Sequence, residues 1–363
     1  MVFEVARNLS SEVDEGRRST LCPREEIESR EIATLSPYAA LAAYSKGRRD
    51  PRPKDDYRTD FVRDRDRILH SKAFRRLSHK TQVFIAPVGD HYRTRLTHTL
   101  EVAQIARAIA RTLRLNEDLT EAIALGHDLG HTPFGHAGEQ ALSDALDSIQ
   151  EGYDNVPQKY HHARQGLRVV DVLEYDGKGL NLTAEVRNGI LGHSGSHYPR
   201  TLEGQIVRIA DRIAYINHDI DDALRARVIS EDDLPDQYCQ VLGHTSAQRI
   251  NTLIRDLVTQ SEGQNRILMT PAIKEAMDGL RAFMFEHVYL TDRSPIAQPR
   301  ARHVVESLFF HYLEHFEEVP TEFYVMAEHN QVQAVIDYIA GMTDRYALGE
   351  YERLFVPQGW QEE

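Results

Sequence analysis

The thirteen residues His127-Asp128-Leu129-Gly130-His131-Thr132-Pro133-Phe134-Gly135-His136-Ala137-Gly138-Glu139 hold three histidines, an aspartate and a glutamate. Imidazoles and carboxylates at this density suit metal binding and proton transfer. An apolar run, Leu119, Ala122, Ile123 and Leu125, leads into the segment and anchors its start in a core. The Gly-His-Thr-Pro-Phe-Gly break then turns the chain before a new helix near Gly138. Taken alone, the same residues also fit a His-rich surface loop.

Two further stretches carry side chains of the same kind. His98 falls in the first turn of a helix expected over 97–113, where Leu100, Ala103, Ala106 and Ala110 form one stripe and Val102, Ile105 and Ile109 lie beside it. The helix expected over 203–225 repeats Ile206, Ile209, Ile213, Ile216, Ile220 and Leu224 at three- and four-residue steps. Asp211, Tyr215, Asp219 and Asp222 recur at nearly the same steps, and Asp211 is turned about 200° from Ile209, so the two stripes lie on opposite faces. That pattern fits either an acidic solvent face or a helix with its back in the core and its front on a cleft. His98, His127 with Asp128, and Asp211 make a mixed N/O donor set, suited to Mn, Fe, Zn, Co or Mg with positions left open for water and phosphate oxygen. Spacing leaves open whether they converge.

The rest of the chain reads as helix. Further helices are expected over 61–77, 118–128, 161–175, 182–192, 247–258, 271–288, 300–316 and 328–341. A short strand over 81–86 ends at Pro87 and Gly89, residues 46–58 read as loop, and residues 1 to about 35 as a loose arm. The class is therefore mostly α, with at most a short β-hairpin. The 363 residues are 41% hydrophobic and 27% charged, which suits a large soluble protein. No apolar run is long enough for a membrane span, and no signal peptide is expected. Two cysteines, Cys22 and Cys239, make no disulfide framework, the pattern of a cytoplasmic protein.

Net charge is −13, which argues against general nucleic-acid coating. Yet residues 46–80 carry thirteen Lys and Arg against six Asp, a local +7. This segment suits either a phosphate-bearing ligand or a lattice of internal salt bridges.

A His, then His-Asp, then a distant Asp, all on helices, resembles the HD-domain phosphohydrolases. The segment from Asp66 to Phe84 (DRILHSKAFRRLSHKTQVF) is similar to the N-terminal signature of bacterial dGTP triphosphohydrolases and their relatives. Arg95 to Val102, the opening motif, Asn217 to Asp222 and Ile339 to Tyr346 resemble further signatures in the same order. The likeness spans roughly residues 60 to 350. It implies an HD fold with an arm and basic loop over 1–58, a catalytic core over 59–235 and a C-terminal helical region over 236–363 packing on it. It implies His98, His127, Asp128 and Asp211 as ligands of a divalent metal, Mn or Mg first. His136 and Glu139 resemble the catalytic pair, and His131 a histidine facing the phosphates. Gln82, Arg95, His162, Tyr215 and Asp219 resemble substrate contacts; the Asn that often follows the histidine at 162 is Ala163 here. The implied reaction takes a deoxynucleoside triphosphate to deoxynucleoside and inorganic triphosphate, with Arg75, Arg76 or Lys80 also offsetting phosphate charge. The resemblance further implies a homo-oligomer; in some members of the family one nucleotide activates cleavage of another. Competing readings are another HD-type nucleotide phosphodiesterase, or a nucleotide-sensing or weakly single-stranded-DNA-binding protein with secondary hydrolysis.

Overall fold

The computed structural model describes residues 23–82, 93–289 and 297–357. Among the described residues there are sixteen α-helices and no strand. They run α1 (Pro23–Thr34), α2 (Asp60–Leu69), α3 (Lys72–Arg76), α4 (Arg95–Thr112), α5 (Glu117–Gly126), α6 (His136–Ser148), α7 (His162–Arg168) and α8 (Ala184–Gly192). After them come α9 (Leu202–Arg225), α10 (Asp236–Leu242), α11 (Ser246–Ser261), α12 (Pro271–Met284), α13 (Ala297–Glu314), α14 (Thr321–Met326), α15 (Gln331–Ala340) and α16 (Asp344–Phe355). The mostly α class is as expected. The strand expected over 81–86 lies largely outside the described residues; Thr81 forms an isolated antiparallel bridge with Thr94. No described helix is long and apolar enough to cross a membrane.

Local chemistry sets the helix starts. Asn116 Oδ1 accepts from Leu119 N at 3.0 Å to cap α5, and Thr201 Oγ1 accepts from Gly204 N at 3.2 Å to cap α9. Ser71 Oγ accepts from Phe74 N at 3.1 Å, starting α3 afresh, so the single helix expected over 61–77 is two. The loose arm expected to about residue 35 is corrected over Pro23–Thr34. There α1 has little apolar face and is held by ions instead: Arg24 is buried against Glu28 and Asp60, and Glu31 accepts from Ala42 N.

The helices bury two apolar clusters. In the first, α4 packs on α5 and α9, with α2 and α8 against α5. Val102, Ile105, Ala106, Ile109 and Ala110 of α4 are buried, while Leu100, assigned to its apolar stripe from the sequence, is 50% exposed. On α9, Ile206, Ile213, Ile216 and Ile220 are buried as their spacing requires. In the second, α13 packs on α6, α15 and α16. The turn between α5 and α6 joins the clusters. Asp344, opening α16, holds that turn by accepting from Phe134 N and, through its other oxygen, from Thr81 N, both at 2.9 Å.

Gly130 lets α7 approach the same turn. A Cβ there would stand 2.1 Å from Gly166 N and 2.2 Å from the His162 carbonyl, both backbone atoms that cannot swing aside. Gly130→Ala is expected to destabilise the fold by about 3 kcal/mol through overpacking, read as a lower denaturation midpoint in urea.

Candidate active site

α5 ends at Gly126, and His127 and Asp128 follow as the chain turns. His98 meets them from the first turn of α4, and Asp211 from the front of α9. His98 Nε2 lies 3.0 Å from Asp211 Oδ1. His127 Nε2 lies 3.4 Å from Asp128 Oδ1 and 3.7 Å from Asp211 Oδ1. The three elements therefore converge, and His98, His127 and Asp128 form a group able to hold a metal ion. Two observations fit a cation here. The His127 Nδ1–H donates to the Ala124 carbonyl at 2.6 Å, which aims Nε2 at the carboxylates, and that buried Nε2 has no hydrogen-bond partner among the described residues. Burial works against a charge on His127, but Asp128 and Asp211 outweigh it and lift the imidazole to about 9. The carboxylates thus favour positive charge, and a divalent ion would supply it.

Arg95, in the same helical turn as His98, is 1% exposed. Its Nη1 donates to Asp128 Oδ2 at 2.8 Å, while its Nε and Nη2 are buried without a partner among the described residues. Gly135, at φ +57°, makes room for it: a Cβ there would stand 2.8 Å from Arg95 Nη2. Buried guanidinium nitrogens left unpaired are costly, and an oxyanion is their natural complement.

Four more titratable groups adjoin this centre. His131 Nε2 lies 3.1 Å from Asp128 Oδ1, and its ring stacks on His162 at 4.1 Å between centroids. Glu139, on the first turn of α6, faces two imidazoles. It lies 3.8 Å from His136 Nδ1 and 2.9 Å from His162 Nδ1. The Glu139–His162 contact is thus closer than the Glu139–His136 pair read from the sequence. Burial works to raise the Glu139 carboxyl, and His162 and His136 overturn it, holding Glu139 well below the usual carboxylate range. His136 is half exposed, with its ring edge-on to Tyr215 at 6.3 Å.

A cavity of about 280 Å³ opens over this cluster. Gln82, Arg95, His98, Asp128, His131, His136, His162, Asp211 and Tyr215 line it. His127 and Glu139 stand behind that wall, and Asp219 is buried one turn beyond Tyr215, off the lining. Arg76 and Lys80, expected near the phosphates, lie elsewhere. Arg76 donates to the Gly341 carbonyl, and the Lys80 ammonium to the His131 and Ala340 carbonyls, where burial brings it down to about 7. Much of the basic stretch is used internally: Arg48 pairs with Asp60 and Asp64, Arg58 with Asp55 and Asp66, and Arg65 with Asp118 and Glu121.

Among the lining residues that sequence reading missed are His193, Arg208 and Arg212. The arginines were legible: Arg208, Asp211, Arg212 and Tyr215 follow at helical spacing on one face of α9. So was His193, because Leu191-Gly192-His193 repeats the Leu125-Gly126-His127 that ends α5.

The HD domain model matches residues 95–216, and the phosphohydrolase-associated domain model matches residues 267–353. A deoxyguanosinetriphosphate triphosphohydrolase-like protein of Caldanaerobacter subterraneus subsp. tengcongensis is 56% identical over 94% of this chain and 98% of its own length. Proteins of the same name from Desulfatibacillum aliphaticivorans and Clostridium perfringens are 47% and 45% identical, each over 92% of this chain and 98% of their own length. With an HD domain, a phosphohydrolase-associated domain and this identity across most of its length, the chain belongs to the deoxyguanosinetriphosphate triphosphohydrolase-like family of HD phosphohydrolases.

Proposed function

We propose that this protein hydrolyses deoxynucleoside triphosphates, dGTP or several of them, to a deoxynucleoside and inorganic triphosphate in a metal-dependent reaction. One observation carries this reading. A buried guanidinium with two nitrogens unpartnered among the described residues, that of Arg95, sits on Asp128 beside the donors of His98, His127 and Asp211. A phosphate oxygen is the ligand that meets both demands. The name of the relatives supports a nucleoside triphosphate as its source.

On this reading His98, His127, Asp128 and Asp211 hold the cation, Mn or Mg first, with Fe, Co or Zn also matching the donors. When bound, that ion supplies Lewis-acid polarisation of the α-phosphate and lowers the pKa of water. Arg95 offsets charge on the same phosphate, and His131 and His162 face the phosphates beside it. Gln82, Tyr215 and Asp219 hold the sugar end. Asp219 stands off the cavity lining, so its part as acceptor for the 3′-hydroxyl requires the substrate to reach past Tyr215. Water attacks the α-phosphorus in line. The 5′-oxygen leaves with the bonding pair and takes its proton from His136, which Glu139 adjoins.

The oligonucleotide-binding alternative loses its motivation where the arginines of 46–80 are engaged with carboxylates. Screening each dNTP alone and in pairs, with Mn and with Mg, tests the substrate and whether one nucleotide activates cleavage of another. Release of tripolyphosphate from at least one is the expected result, and none from any would reject the reading. Sedimentation of the purified chain tests the implied homo-oligomer.

Tyr215 is proposed as the steric gate on C2′. Tyr215→Ala is expected to lower the ratio of kcat/KM for dGTP over GTP by about tenfold or more. An unchanged ratio would remove the gate from Tyr215.

A further inference from the structure

A second cavity, of about 910 Å³, lies against the turn between α5 and α6, where Leu129 and Gly130 line it. Its other walls come from α3, from α7 and the residues 169–173 that continue it, and from α14 and α15. It shares no lining residue with the cavity over the His/Asp cluster. Its volume suits a small organic ligand.

Two cations on its wall lack a counter-charge. Arg76 donates to the Gly341 carbonyl, and the Lys80 ammonium to the His131 and Ala340 carbonyls. A carbonyl accepts a hydrogen bond but brings no net charge, and neither side chain forms an ion pair with a carboxylate among the described residues. Lys80 is buried, and burial together with the neighbouring Arg76 guanidinium works against its charge. Two adjacent cations, one of them buried, are costly without an anion.

The carboxylates of this cavity do not supply one. Glu174 accepts from Lys72 N at 3.1 Å and from Ala73 N at 2.7 Å. Asp337 accepts from Gln165, Arg168 and Gln333. Asp176, Glu322 and Glu328 are exposed to water. Part of the remaining wall is apolar, formed by Val169, Leu173, Phe323 and Met326.

We propose that this cavity binds a phosphate monoester of an apolar or aromatic alcohol, with the phosphate set against Arg76 and Lys80 and the organic part against Val169, Leu173, Phe323 and Met326. A phosphate monoester carries close to two negative charges at neutral pH, which matches two unpaired cations. The planar guanidinium of Arg76 suits phosphate oxygens, while Lys80 contributes its charge. Lys80 also holds the His131 carbonyl, so an anion beside the ammonium steadies the turn that carries His131. The inference rests on neither the metal nor the nucleotide reading of the other cavity.

The test is calorimetric titration of the full chain, as purified, with phenyl phosphate. Four proteins are compared: the wild type, Arg76→Gln, Val172→Trp, which fills the cavity from its wall, and Arg95→Gln, which alters the other cavity. The expected result is a binding event present in the wild type and in Arg95→Gln, and weakened by about tenfold or more in Arg76→Gln and Val172→Trp. Amide hydrogen exchange over residues 129–134 is expected to slow when the wild type binds the probe and to stay unchanged in Val172→Trp. No binding by the wild type would overturn the site. Binding undiminished in either cavity variant, or abolished in Arg95→Gln, would place the probe elsewhere and overturn it as well. Unchanged exchange with the probe bound would overturn its hold on the turn. If Arg76→Gln loses its fold, as circular dichroism would reveal, Val172→Trp decides.

Discussion

Replacing His127 or Asp211 with alanine is expected to remove the bound catalytic cation and hydrolysis together. Each variant deletes a donor from a set that holds only two imidazoles and two carboxylates. His127 has no other employment for its buried Nε2, and Asp211 Oδ1 is the atom both His98 and His127 approach, at 3.0 and 3.7 Å. Removing Asp211 also leaves His98 without the carboxylate its Nε2 meets. Lewis-acid stabilisation by a metal is worth several kcal/mol, so activity should fall by about 10³-fold or more. Metal analysis of the purified variants checks the cause. Full occupancy of the site in both, with activity lost, would make these residues something other than ligands.

The second large effect belongs to His136. His136→Ala is expected to keep its metal and its thermal unfolding temperature while kcat falls by about 10²-fold or more, the range for loss of a positioned proton donor. The half-exposed ring packs into neither core cluster, so its removal opens no cavity in the fold. The Glu139 carboxylate stands 3.8 Å from its Nδ1. A variant that lost metal would place His136 among the ligands, and one with unchanged kcat would leave it without a chemical role. The closer Glu139–His162 contact supplies a contrast: Glu139→Gln disturbs two imidazoles at once and should lower kcat at least as far as His136→Ala.

Much of this centre could be read in the chain because its parts sit on elements with strong periodicity. The apolar stripe of α9 fixes which way Asp211 and Tyr215 face, and α5 delivers His127 from a buried run. What periodicity could not supply was contact between distant segments. Arg24 makes α1 a helix through Asp60, thirty-six residues away, a pairing no local pattern announces. Lys80 looked like a phosphate ligand from its charge, yet its ammonium is used up on the His131 and Ala340 carbonyls. The role of the Ile339 to Tyr346 signature also needed the fold. Asp344 in that signature holds the turn carrying His131 and His136 from more than two hundred residues away in sequence. His193 escaped because one histidine after an apolar helix is commonplace; only its twin after α5 and its partner His162 give it meaning.

The bond that breaks is the most direct test of the proposed reaction. Attack on a γ-phosphorus usually relies on a glycine-rich loop with a lysine over the β- and γ-phosphates, and the chain has no G-x-x-x-x-G-K-[ST] segment. Arg95 and the His/Asp cluster instead line one cavity with the proposed sugar contacts Gln82 and Tyr215, so on the proposed reading they would share one phosphate. Hydrolysis of the preferred dNTP in ¹⁸O-labelled water, followed by mass spectrometry, reads the site of attack. The predicted result is one labelled oxygen in intact triphosphate beside an unlabelled deoxynucleoside. Label in a deoxynucleoside monophosphate with pyrophosphate released, or in inorganic phosphate with a deoxynucleoside diphosphate left, would contradict it.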